Sequence, residues 1–284
     1  MKKVVIIHLT PFLLICSIVL CFFVQQNLSV KRENFLKRSD MDYILPSKVT
    51  GLAAMEFKGI VSDFLFLKAS TFFGGKFIKN ETLNAKHADY IYNFSDVITD
   101  LDPWFWDAYL FSNMLLTWDF GKIDQANTLL FKAREYRTTD FKVPYHIGFN
   151  YFYFLKDNIK GSQYMMEAAK LPGSPTYLAS LASRLAMYQN QYKPAILFLE
   201  DILKKTRNPI LAKQLETRLE ALTVMNSLEK KIDAFKKKFG VFPDHLSDLI
   251  NTGLVESIPD DPYGGKYILL ENKRVYTTSK LVYK

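Results

Sequence analysis

Few side chains in this sequence have the type and spacing that chemistry needs. Glu56 and Asp63 stand seven residues apart with Gly59 between them, so a helix would carry both on one face. Such a pair could act as acid and base or hold a cation. More often such residues solvate a helix or bind a neighbouring helix's N-terminus. His146, one of four histidines, is embedded among aromatics and reads as a hydrogen-bonded structural residue rather than a base. Asp260 and Asp261 lie in a proline turn and read as turn formers rather than ligands. Both cysteines, Cys16 and Cys21, fall in an apolar N-terminal run, so the rest of the chain has no thiolate for a zinc site and no internal disulfide. No Gly-rich phosphate loop, nucleophile elbow or HExxH pattern is present. The expectation is a protein that is not an enzyme, with no cofactor, no metal ion and no small-molecule substrate.

What the chain has in excess is aromatic surface: 23 Phe, 16 Tyr and 3 Trp against only 12 Gly. Two phrases concentrate it, Leu101-Asp-Pro-Trp-Phe-Trp-Asp-Ala-Tyr109 and Val143-Pro-Tyr-His-Ile-Gly-Phe-Asn-Tyr-Phe-Tyr-Phe154. Trp104, Trp106, Tyr109, Tyr145, His146, Tyr151 and Tyr153, with Tyr263 from a later turn, are therefore the candidate partner-binding residues. They would form a wall for a peptide or a glycan; the alternative is that they fill a helical core. The formal charge of +8 is spread along the chain without an RNA- or DNA-binding motif, so no nucleic-acid partner is expected.

These residues need a scaffold, and the pattern predicts a mainly α one. Val4 to Val24 is a run without a charged residue, long enough at about 1.5 Å per residue to span a hydrocarbon layer of about 30 Å. Phe22-Phe23-Val24-Gln25 offers no small-residue cleavage site, and the residues before Cys16 and Cys21 do not suit lipoprotein processing. Residues 1–27 are thus expected to be an uncleaved transmembrane helix, with the membrane contacted through residues 4–24. Lys2 and Lys3 favour an N-terminus on the cytoplasmic side, while Lys31, Arg32, Lys37 and Arg38 oppose it. Residues 28–48, polar and carrying Pro46, read as a connector. A helix is expected from Thr50 to Phe73, with Phe57, Ile60, Phe64 and Leu67 on one apolar face and Gly74-Gly75 stopping it. Lys58, Asp63 and Lys68 argue against a second span there.

A repeat organises the middle of the chain, within residues 49–207. Gly121-Lys-Ile-Asp-Gln-Ala126, Lys156-Asp-Asn-Ile-Lys-Gly161 and Asn190-Gln-Tyr-Lys-Pro-Ala195 align at offsets of 35 and 34 residues. Each is a polar turn leading to a small residue. Leu130, Met165 and Leu199 follow at the same step, and then Ala133, Ala168 and Ile202. Small residues at a helix crossing flanked by large ones suit helix pairs stacked on one another. Over roughly residues 102–207 the sequence resembles tetratricopeptide repeats, whose period is about 34 residues. Leu110, Tyr145 and Ala179 stand where that family often carries Trp. The resemblance implies an α-helical solenoid that binds other proteins. Asp102 and Pro103 are expected to start the first unit, with later starts near Pro144 and Pro175.

Residues 208–239 read as one connecting helix from Pro209 to Phe239, with an apolar stripe from Leu211 to Phe239 and Gly240 as its terminator. Residues 240–284 change character. Phe242 to Ile250 reads as a proline turn and a short helix capped near Asp244. Strands Lys266–Leu270 and Arg274–Thr278 follow, joined around Asn272. "FGVFP", a short helix, "IPDDPYGGKY" and a hairpin resemble the C-terminal half of the major pseudopilins of type II secretion. The resemblance implies a small α+β cap. The pseudopilin calcium loop has no counterpart, because Val275 to Lys284 contains no carboxylate side chain. The sum predicts a membrane-anchored scaffold for other proteins of a membrane-associated assembly, in a bacterial secretion, pilus or envelope-export system at the cytoplasmic membrane, with the soluble part in the periplasm. The alternative is a periplasmic module that binds a peptide or glycan on its aromatic surface.

Overall fold

A computed structural model describes residues 14, 17–28, 41 and 43–282. The chain is mainly helical with one small antiparallel sheet near its C-terminus. Its helices are α1 (Ser47–Ala54), α2 (Lys58–Ile78), α3 (Ala85–Leu101), α4 (Trp106–Met114), α5 (Ile123–Tyr136), α6 (Lys142–Phe149), α7 (Asn158–Ala169), α8 (Tyr177–Tyr188), α9 (Tyr192–Lys205), α10 (Pro209–Phe239) and α11 (Ser247–Asn251). Five-residue π-helical turns, Leu115–Asp119 and Asn150–Phe154, extend α4 and α6. Strands β1 (Tyr267–Leu269) and β2 (Val275–Thr277) pair with Tyr267 opposite Thr277. Residues 17–28 are helical and expose apolar side chains such as Phe22 and Phe23. The proposed span at 4–24 lies mostly outside the described residues, among which no helix is long and apolar enough to cross a membrane.

From α2 to α10 each helix packs on its neighbour in sequence. The core falls into two clusters. One joins α2 to α6 around Phe73, Phe94, Tyr109 and Leu130; the other joins α7 to the C-terminal hairpin around Leu178, Leu199, Leu222 and Tyr267. At the repeat positions Ala126, Gly161 and Ala195 are all buried, and so are Leu130, Met165 and Leu199. Gly161 is needed for close approach. A Cβ there would lie 2.9 Å from Phe152 Cβ and 3.2 Å from the carbonyl oxygen of Gly148. Three buried asparagines tie the first two helix pairs together: Asn150 Nδ2 donates to Oδ1 of Asn113 at 2.7 Å and of Asn127 at 2.9 Å.

The expected helix over Thr50 to Phe73 is broken and displaced. It is interrupted at Met55, whose φ of 51° ends α1. It then runs through Gly74-Gly75 to Ile78, ending where Asn80 adopts φ 52°. Two glycines cost a helix interior about 1 kcal/mol each, which the packing of Phe73 against α3 and α4 offsets. The larger correction concerns orientation. Phe57, Ile60, Phe64 and Leu67, the expected apolar face, are 63–66% exposed. α2 buries its other side instead. Ser62 and Ala69 let α3 approach, and the Ser62 hydroxyl donates to the carbonyl of Ile98. The helix is apolar almost all round, so periodicity marked a face without marking which face is covered.

Helix α3 has no counterpart in the sequence reading. Asn84 caps it by accepting from the backbone N–H groups of Lys86 and His87, and His87 Nδ1 accepts from the Asn84 N–H. Because α3 runs on to Leu101, Asp102 is not the N-cap of the next helix. It organises the turn between them, accepting from Trp104 N–H at 2.9 Å, and α4 begins at Trp106. Asp244 likewise yields its expected role to Asp248, whose carboxylate accepts from the N–H groups of both Asp244 and His245. Helix α10 has the expected limits, with Asn208 as its cap and Gly240 left-handed at φ 77°. Its stripe is covered from Leu215 to Phe235, and Phe239 is exposed.

The C-terminal segment docks on α10. Leu246, Leu249, Tyr263, Tyr267, Val275 and Leu281 join one cluster with Leu222, Met225 and Ile232. Polar bonds fix the seat. Arg218 donates to the carbonyl of Leu281 at 2.8 Å and lies over the Tyr263 ring. Asp261 is buried, accepting from Tyr263 N–H and from the Thr277 hydroxyl.

Candidate partner-binding surface

The candidate aromatics separate into three environments. Tyr109 points inward from α4 and is fully buried, and burial pushes its phenol up to about 12. Tyr263 is buried beneath the C-terminal hairpin. Both are core residues, because packing against α10 and between helix pairs has already taken their surfaces. Trp104 is exposed on the turn after α3, its carbonyl held by Arg137. Tyr151 bridges α6 to α7, stacked on Tyr164 at 5.7 Å with Lys160 over its ring. Trp106, Tyr145, His146 and Tyr153 come together.

They do so in a continuous ridge that includes a residue absent from the sequence expectation, Trp118. From Trp118 to Tyr153 the ring centres are 5.1 Å apart, and from Tyr153 to Phe149 5.2 Å with nearly parallel planes. Phe154 packs edge-on against Trp118 at 4.9 Å. Tyr145 lies 6.4 Å from Phe149 and 5.1 Å from His146, which in turn lies 5.6 Å from Trp106. Cations flank both ends: Lys156 over Tyr153, and Arg137 and Lys142 over Trp106. Tyr177 meets Tyr145, whose phenol is pushed up by its own burial and by that neighbour.

The π-helical turns help place the outer end of this ridge. Trp118 lies in the first and Tyr153 in the second, at matching positions 35 residues apart. A π turn inserts an extra residue and turns the following side chains relative to an α-helix. Tyr188, a further 35 residues on, ends α8. The three rings are 54, 41 and 39% exposed. Tyr188 stacks on Tyr276 of the hairpin, so each repeat unit exposes an aromatic at this position and the last reaches the cap. The 35-residue offset that aligns the first two polar turns was the available signal for Trp118; Tyr188 falls one residue beyond the 34-residue offset of the third.

His146 makes the ridge pH-sensitive. Burial lowers its pKa to about 4; nearby Lys142 adds to the shift and Asp140 opposes it. Between pH 6.5 and 4 the unfolded chain therefore takes up a proton that the folded chain refuses. The contribution is complete above pH 6.5 and is lost as pH falls towards 4, by about 3 kcal/mol. Thermal melts from pH 7.5 to 4.5 are expected to show that decline, and His146→Phe to flatten it. A parent-like decline in the variant would remove His146 as its source.

Glu56 and Asp63 are both exposed, and among the described residues no three His, Cys, Asp or Glu side chains converge as metal ligands. The larger clefts are open. One of about 700 Å³ lies between α10 and residues 253–259, and one of about 520 Å³ between residues 41–47 and α3. No protein-family model matches the chain, and no curated protein matches it, so its function is argued from its own geometry.

Proposed function

We propose that this chain is a membrane-anchored, tetratricopeptide-like scaffold that holds an extended segment of a partner protein along its aromatic ridge. The observation that carries the reading is the continuity of that ridge from Trp118 through Tyr153, Phe149 and Tyr145 to Trp106. Trp118 and Tyr153 are exposed, and Phe149, Tyr145 and Trp106 are half-buried; aromatics on a rigid frame supply contact area at little cost in side-chain entropy, and such residues dominate protein interfaces. The frame is rigid where it matters, because the Asn113–Asn127–Asn150 bonds and the Gly148–Gly161 approach lock the helices that carry the rings. Lys156 at one end and Lys142 at the other suit a segment that carries carboxylates beside its apolar side chains, while Arg137 is paired with Asp140.

The setting follows from the rest of the chain. The uncharged run at 4–24 supports a single-pass anchor, and Lys2 and Lys3 support a periplasmic soluble part. The repeat register and the pseudopilin-like tail support an assembly role in a bacterial secretion, pilus or envelope-export system. Nucleophile and metal motifs are absent from the sequence, which favours binding over catalysis. A glycan stacked on Trp118 is the second reading, favoured by the exposure of that ring. The double variant Trp118→Ala, Tyr153→Ala tests the proposal: it should lose the partner protein and keep its fold.

A further inference from the structure

The ridge leaves a second apolar surface unused. Met55, Phe57, Ile60, Phe64, Leu67 and Ile78 are exposed by 63–85%, a run that begins just before α2 and follows the helix to its end. At about 1.5 Å per residue the line from Ile60 to Ile78 is about 27 Å long. Thr71, Gly74 and Gly75 fill its middle without a charge, exposed Asp63 stands at its margin beside Ile60 and Leu67, and a Cβ on either glycine would meet no atom of this chain within 4 Å. An exposed apolar face of this length on a folded protein marks a docking surface.

We infer that this face lies in the surface of the lipid bilayer, seating the helical stack flat beside its anchor. The inference rests on the anchored reading of residues 4–24, and three observations choose lipid over other occupants. First, among the described residues α1 and α2 are the first helices after the apolar helix at 17–28, with only residues 29–46 between. Even fully extended, a link of that length spans at most about 65 Å, so the face stays tethered to the anchor. Second, exposed Lys79 follows Ile78 at the end of α2, where its ammonium group can reach phosphates. Third, the opposite side of α2 is packed on α3, so burying this face in lipid requires no rearrangement of the fold. A helix lying in the interface with its apolar side down needs those features. The basic run Lys31, Arg32, Lys37 and Arg38 in the link adds attraction to anionic headgroups.

The test uses the full chain with Cys16 and Cys21 replaced by alanine, reconstituted in phosphatidylcholine–phosphatidylglycerol vesicles. Single variants Phe64→Cys, Phe22→Cys and Leu197→Cys carry an environment-sensitive fluorophore, with and without a lipid bearing a quencher near its headgroup. Leu197 is exposed on α9 and serves as the water-facing control. The expected result is a blue-shifted probe at position 64, quenched by the labelled lipid, beside an unquenched probe at 197. Quenching at 22 with none at 64 would overturn the docking while leaving the anchor intact. Absence of quenching at both positions would overturn docking and anchor together. A probe at 64 that is shielded from iodide but not quenched by lipid would mean that protein covers the face, and would also overturn the inference.

Discussion

Glu229→Ala is expected to destabilise the protein by about 2–4 kcal/mol and to release the C-terminal hairpin from α10. Glu229 is nearly buried, and its two oxygens divide the work. One accepts from the Val275 N–H at 2.8 Å and the other from Arg274 at 2.9 Å. The Val275 carbonyl is held in turn by the Tyr192 hydroxyl at 2.8 Å. Both backbone groups of a strand residue are thus committed to helices rather than to water. Arg274 is half exposed, so the ion pair itself contributes little. The cost comes from a buried N–H left without an acceptor. A two-stranded hairpin is marginal by itself, so loosening this seat should expose the segment as a unit. Glu229→Gln keeps an acceptor for Val275 and should lose less. Hydrogen exchange at Tyr267 and Val275 is the readout. Protection unchanged in the alanine variant, with a parent-like melting temperature, would show that the cap is held elsewhere.

Leucine at Ala126, Gly161 and Ala195 together should abolish cooperative folding. Overpacking a closed crossing costs about 1–3 kcal/mol, and three separated crossings add to about 3–9 against a typical total of about 5–15 kcal/mol. Gly161 should contribute most. Its approach to Gly148 is mutual: a Cβ on Gly148 would lie 2.9 Å from Met165 Cγ and 3.0 Å from the Gly161 carbonyl oxygen. Backbone cannot swing aside as a side chain can. Ala126 and Ala195 are fully buried and already carry a Cβ, so each gains fewer atoms than Gly161 does. Melting each single variant orders the three crossings. A triple variant that melts like the parent would mean that these positions do not lie at crossings.

The sequence was legible where one signal repeated and nothing competed with it. Helix α10 follows from an unbroken stripe with Pro209 at its start and Gly240 at its end. The hairpin follows from turn residues around Asn272, and the repeat positions from a fixed offset. Legibility failed where several answers satisfied the same local chemistry. α2 is apolar on more than one face, and only the packing of α3 decides that Ser62 and Ala69 go inward while Phe64 goes outward. Asp102 suits a helix cap and an Asx turn equally, and the undetected α3 settles the matter by ending there. Tyr109 and Tyr263 carried the same aromatic signal as Tyr153. Composition cannot say which ring a neighbour covers. The two π turns have no local sequence mark, so Trp118 was hidden until its offset from Tyr153 had a structural meaning.

The most direct measurement of the central claim is partner recovery from detergent-solubilised membranes, made in parallel on the parent, on Trp118→Ala with Tyr153→Ala, and on Leu197→Ala. Melting curves on the same preparations report the fold. The account predicts one protein recovered in constant ratio with the parent and with Leu197→Ala. It predicts that this protein is lost from the double variant while the variant keeps a cooperative melt, lowered only by the loss of two half-buried rings. Equal recovery of that protein by all three chains would contradict the account. So would a ridge-dependent ligand that proves to be a glycan.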